Sequence, residues 1–181
     1  KFRRVFYVDW CMKADEINLL KKASQETRGA FLEAATEFEW VIELYVANYF
    51  FGPLEDDKFQ DFMSLIIKPH ITFRNKVETF KIILEKKNPE FLETHKSLPN
   101  DFQKILYNRN VFARDPLHTS SLGLKQFSED NKVGYYKFKA KKNKEDNTKI
   151  DLHSVTEYTD KSVSALIILI ESYSSEILFL M

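Results

Sequence analysis

From about Thr27 to Phe51 the apolar residues Phe31, Ala34, Ala35, Phe38, Val41, Ile42, Tyr45 and Tyr49 recur at spacings of three and four. Held for roughly seven turns at 3.6 residues per turn, this is the period of one buried face of an α-helix. Glu33, Glu37 and Glu43 fall off that stripe, and Gly52 with Pro53 closes the segment where a C-terminal glycine followed by proline should. A helix this long is read as central, because its stripe has to be covered by other elements. The chain holds only four Gly and five Pro against sixteen Phe, too few turn formers for a turn-rich β fold.

The flanking pattern supplies the covering elements. Lys1 to Trp10 reads as an extended lead-in or a short helix, and Ala14 to Ala23, with Ile17, Leu19 and Leu20, as a short helix. Acidic Glu55 to Asp57 stand before Phe59, Phe62, Met63, Leu65 and Ile66, a helix whose start suits the positive end of its macrodipole. Pro69 interrupts it. Phe73, Val77, Phe80, Ile83 and Leu84 form the next helix, stopped by Asn88 and Pro89, and a short piece with Phe91 and Leu92 follows. Pro99 opens a helix carrying Phe102, Ile105, Leu106, Phe112 and Ala113.

Beyond Pro116 the pattern changes. Gly123 to Ser128 and Val133 to Lys141 read as two strands joined around Asp130 and Asn131, followed by a charged loop from Lys142 to Lys149. Leu152, Val155, Tyr158, Val163, Leu166, Leu169, Ile170, Tyr173 and Ile177 trace a long terminal helix. Its Ala165 to Ile170 run is apolar all round, so this helix is either central or shared with a second subunit. The expected fold is mainly α: a bundle of about five to seven helices in one domain over 1–181, with a β-hairpin insertion at 119–150 before the C-terminal helix.

Twenty-seven basic residues balance twenty-seven acidic ones, so an anionic partner has to be held by a local patch rather than by bulk charge. Cys11 is the sole cysteine, which excludes an internal disulfide and fits a reducing, cytoplasmic setting. No apolar run approaches the roughly 18 residues of a membrane span. Lys1 to Trp10 mixes charges among its apolar residues and does not read as a signal peptide. There is no glycine-rich phosphate loop, dinucleotide fingerprint or nucleophile elbow, so no cofactor is expected. His70, His95, His118 and His153 are far apart; only His153 with Glu157 has ligand-like spacing, short of the three or four ligands a closed site needs. Asp56, Asp57 and Asp61 lack the glycine and final glutamate of a calcium loop and read as helix capping.

Polar chemistry concentrates in Tyr107 to His118, read Tyr-Asn-Arg-Asn-Val-Phe-Ala-Arg-Asp-Pro-Leu-His. Arg109 falls on the apolar stripe of its helix, where a guanidinium must meet a carboxylate, a helix end or an anionic ligand. Asn110 and Arg114, four apart, are neighbours if the helix reaches that far, and Pro116 ends it near Asp115. His118 follows. A second cationic feature is the alternation of Lys137, Lys139 and Lys141 with Tyr136, Phe138 and Ala140. It is either a single-stranded RNA surface or a solvated face with its aromatics in the core.

A long helix, a second pair of helices, Arg109-Asn110-Val111-Phe112-Ala113-Arg114, a variable insertion and a closing apolar helix resemble the HEPN superfamily of all-helical domains. The layout from Thr27 to Met181, including Arg28-Gly29-Ala30-Phe31, is similar to the mannitol-operon repressor branch. The family's hallmark is an Arg-Asn-x-x-x-His pattern, and Arg114 stands where it has His. The resemblance implies a homodimer that brings two motifs together and cleaves RNA without metal, with Arg109 holding a phosphate and Asn110 positioning it. Arginine keeps its proton at neutral pH, its pKa being about 12.5 or more, so Arg114 can bind phosphate but cannot shuttle a proton. His118, nine residues beyond Arg109, is the candidate for the missing role. The resemblance thus points to a regulatory or defence protein of toxin-antitoxin type, binding RNA or nucleotide and a cognate partner protein, with weak or no ribonuclease activity. An active endoribonuclease is the first alternative. The second is a structural or regulatory interaction protein, with Arg109 locked to an internal carboxylate such as Glu37 or Glu43.

Overall fold

The computed structural model describes the backbone of residues 2–52, 57–142 and 148–181, and the side chains of residues 14–52, 57–137 and 154–181. In chain order it forms α1 (Phe2–Phe51), α2 (Asp57–Phe62), a π-helical turn (Met63–Ile67), α3 (Lys68–His70), α4 (Phe73–Lys87), α5 (Pro89–Thr94) and α6 (Leu98–Arg114). Then follow α7 (Ser121–Asp130), an antiparallel hairpin of β1 (Val133–Lys142) and β2 (Thr148–Tyr158), and α8 (Asp160–Leu178). The protein is mainly helical with a small hairpin ahead of the C-terminal helix, as its periodicity predicts.

Several boundaries differ from that reading. The lead-in, the short helix at 14–23 and the helix from Thr27 are one 50-residue helix. Gly29, which costs about 1 kcal/mol within a helix, does not break it, and no proline lies between the segments. Gly52 closes α1 at a positive φ of 76°, its N–H donating to the Asn48 carbonyl at 2.9 Å. Pro53, Glu55 and Asp56 lie outside the described residues.

The strand expected at Gly123 to Ser128 is the helix α7. The Gly123 N–H donates to the Ser120 hydroxyl at its start, and Asn131 caps its end in the left-handed conformation. The second strand of the hairpin is instead Thr148–Tyr158, where the sequence pattern predicts loop and the beginning of the terminal helix. Apolar residues at 150, 152, 155 and 158 do not distinguish the two periods by themselves, and pairing with β1 decides for strand. The terminal helix accordingly begins at Asp160.

The chain divides into two compact units, one of Lys1–Leu32 with Asn110–Ala165 and one of Glu33–Arg109 with Leu166–Met181. In the first, here the hairpin unit, Phe112 is the hub. Its ring lies 4.8 Å from Phe31, 5.3 Å from Tyr135 and 4.5 Å from Tyr158. Tyr135 is fully buried, and its hydroxyl is satisfied by Ser24 Oγ at 3.0 Å. Residues 116–118 return along the outer edge of β1: the Tyr136 N–H donates to the Pro116 carbonyl and the His118 N–H to the Gly134 carbonyl, both at 2.8 Å.

In the second, the helical unit, Phe102 occupies the centre. Phe38, Phe80 and Tyr173 surround it with ring centroids 5.3, 5.9 and 6.0 Å away. Tyr173 donates to the buried Asp101 carboxylate at 2.9 Å. Burial alone would raise the Asp101 pKa, but hydrogen bonds from Ser97, Tyr173 and Lys104 outweigh it and hold the group below its ordinary value. Phe102→Ala should destabilise the protein by about 3–5 kcal/mol, because three rings lose their common partner and a cavity remains. Urea denaturation of the variant beside wild type measures this.

Candidate functional site

Arg109 sits in the last turns of α6, in the helical unit. It is not buried against hydrocarbon. Its side chain keeps 35% of its exposure, and its guanidinium donates to Glu39 Oε2 at 3.2 Å while lying 5.4 Å from the centre of the Phe73 ring. The carboxylate that meets it is therefore Glu39, two residues after Glu37 and four before Glu43. Glu37 is exposed, and Glu43 is engaged elsewhere.

Glu39 is shared. Lys76 of α4, only 4% exposed, donates from Nζ to Glu39 Oε1 at 2.7 Å and to Glu43 Oε1 at 2.5 Å. Glu43 follows Glu39 by four residues, so one face of α1 offers both carboxylates to one ammonium. Burial by itself lowers the Lys76 pKa. The hydrogen bonds and charges of Glu39 and Glu43 outweigh that effect and raise it, so Lys76 stays protonated. Two carboxylates face two cations in the chain Glu43–Lys76–Glu39–Arg109, which leaves the cluster neutral. Nothing in the sequence pattern singled out Lys76, whose position was a gap between Phe73 and Val77 of the α4 stripe.

Beside this cluster a groove of about 420 Å³ is lined by Thr36, Glu37, Glu39, Trp40, Glu43 and Lys68. Trp40 is 49% exposed in it.

Asn110, Arg114 and His118 belong to the hairpin unit. Asn110 and Arg114 are exposed. The cation that satisfies the end of α6 is Arg28 of α1, which donates to the Asp115 carbonyl and lies 4.4 Å from the centre of the Tyr135 ring. His118 is 4% exposed, its ring 4.5 Å from Tyr136 and its Nε2 at 2.7 Å from Ser120 Oγ. Two glycines make room for it. A Cβ on Gly123 would lie 2.2 Å from the His118 carbonyl oxygen, and one on Gly134 would lie 3.3 Å from Nδ1. Burial pushes the His118 pKa below the ordinary 6.5, against the opposing charge of Glu157.

No family model, curated protein or solved structure matches the chain. Its function has to be argued from its own groups.

Lys137 is half-buried on β1, while the side chains of Lys139 and Lys141 lie outside the described residues, as does that of His153. The sequence places Tyr136, Phe138 and Ala140 on the core face; the side chains of Phe138 and Ala140 lie outside the described residues. At the base of the hairpin the fully buried ring is instead Tyr135, which shares its side of the strand with Lys137. Tyr136 covers His118 on the other side. Among the described residues no group of three or more His, Cys, Asp or Glu could hold a metal, and no helix is long and apolar enough to cross a membrane.

Lys76→Met should cost about 3–5 kcal/mol, because it leaves Glu43 buried without its cation. Lys76→Met combined with Glu43→Leu should recover most of that loss. Chemical denaturation of the single and double variants checks both.

Proposed function

We propose that this chain is a helical interaction protein of HEPN-like layout that does not cleave RNA, in which Arg109 is a structural cation. The observation that carries this reading is the Arg109–Glu39 pair at 3.2 Å in a cluster already neutral by its own charges. An arginine kept for a phosphate is expected to lack such a partner. Arg114, standing where the family pattern has histidine, removes the proton carrier that RNA cleavage needs. The natural setting is the cytoplasm, in a regulatory or defence system with a cognate partner protein.

A second reading rests on the exposure of the motif. Arg109 retains a third of its surface, so an RNA or nucleotide phosphate could reach its guanidinium. On that reading the Glu39 carboxylate competes with the phosphate for Arg109, and an endoribonuclease is its catalytic extreme.

The two readings separate on Glu39→Gln. If Arg109 is structural, fluorescence polarisation with a single-stranded RNA oligomer should show no salt-sensitive binding by wild type, Arg109→Ala or Glu39→Gln. Both substitutions should then only lower stability, Arg109→Ala by about 1 kcal/mol or less because the pair is partly exposed. Binding that falls steeply with salt, vanishes in Arg109→Ala and tightens in Glu39→Gln would establish the second reading instead. Intact oligomer on a gel excludes cleavage.

The chain is also proposed to form a homodimer through α8, where Ile168 is 64% and Leu178 45% exposed. Sedimentation equilibrium at micromolar concentration should give twice the 21.4 kDa chain mass, and Ile168→Glu should return the monomer. A wild-type monomer would refute it.

A further inference from the structure

The hairpin unit brings a serine, a histidine and a carboxylate together through the return of residues 116–118 onto β1. Ser120 is exposed and its hydroxyl lies 2.7 Å from Nε2 of a histidine that is almost fully buried. The other ring nitrogen, Nδ1, has no hydrogen-bond partner among the described residues. Gly134 abuts that nitrogen, and the residue paired with Gly134 across the hairpin is Glu157. Directly paired residues point to the same face of a sheet, so Glu157 stands on the Nδ1 side of the ring. Its carboxylate is held by Gln126 Nε2 at 2.5 Å and Lys132 Nζ at 3.8 Å.

Either atom of the Ser120–His118 hydrogen bond can be its donor, according to the histidine tautomer. A negative charge on the Nδ1 side favours the tautomer with its proton on Nδ1, which leaves Nε2 as the acceptor. In that tautomer the Ser120 hydroxyl accepts from the Gly123 N–H at 3.4 Å while donating to His118. A helix cap requires only the first of these bonds. The N–H groups of Ser121 and Leu122, at the start of the ten-residue α7, have no acceptor within their helix and are suited to a developing oxyanion.

We propose that Ser120 and His118 form a nucleophile and general-base pair that accepts an acyl group from a carboxylic ester. Ser120 Oγ attacks the carbonyl carbon as its proton passes to His118 Nε2. The bond to the leaving alcohol breaks, and Nε2 returns the proton to that oxygen, leaving acyl-Ser120. Water then attacks the acyl carbon, gives one proton to Nε2, and releases the carboxylic acid as that proton goes back to Ser120 Oγ. The inference is independent of the role of Arg109.

The test is labelling of the full chain with a fluorophosphonate probe, read by intact mass and peptide mapping. One adduct is expected, on Ser120, absent from Ser120→Ala and formed at least about a hundredfold more slowly in His118→Gln. Labelling should weaken as pH falls below 6.5, because the depressed His118 pKa keeps the base neutral down to that range. The charged group acting on the ring is Glu157 from β2, itself 3.8 Å from Lys132, and the Tyr136 ring lies beside the imidazole; Glu157→Gln should move the midpoint lower still. No adduct, adducts spread over other serines, or equal labelling of His118→Gln would overturn the proposal. Should His118→Gln fail to fold, a wild-type labelling midpoint above 6.5, or one left unmoved by Glu157→Gln, would overturn it as well.

Discussion

One ammonium held below the surface by two carboxylates orders the helical unit. Lys76 donates to Glu39 and Glu43, which lie four residues apart on α1, so α4 is tied to α1 at a single azimuth. Such a pair contributes little net stability compared with hydrocarbon, but it is intolerant of losing one member. It acts as a constraint on register more than as a source of binding energy. The aromatic packing around Phe102 then supplies the hydrophobic stabilisation that the ion cluster does not.

Arg109 is best understood as the outer member of that cluster. Glu39 has two oxygens, one given to Lys76 and one to Arg109. Without Arg109 the remaining charges would be two carboxylates against one ammonium. A cation on α6 at this height corrects the imbalance, and the Phe73 ring shields its flat face. The residue that most invited a catalytic reading in the sequence thus has a sufficient role in neutralising the protein's own acid.

The hairpin unit solves a different problem. A ten-residue helix and a two-stranded hairpin have little core of their own, so the unit relies on Phe112, Tyr135 and Tyr158 and on a backbone that returns along β1 after Pro116. That return carries His118 between Gly123 and Gly134, where any Cβ would intrude. Glycine within a strand often marks the close approach of another backbone, and Gly134 could have been read that way from the sequence.

The helices were legible wherever an apolar stripe was long. Phe31 to Tyr49 and Phe73 to Leu84 announced α1 and α4 because burial of one face repeats every 3.6 residues whatever the partner is. The short elements were not legible: Leu122, Leu124 and Phe127 fit either period, and Ile150 to Tyr158 became a strand only because β1 offered hydrogen bonds to it. The sequence by itself therefore determined that the chain is mainly helical, and that its one run of unusual polar residues ends α6. Tertiary structure alone decided that Arg109 meets Glu39, that Lys76 is its buried neighbour, and that His118 meets Ser120. The cause is physical: periodicity records which face is covered, whereas the choice of partner for a charge depends on residues up to 87 positions away.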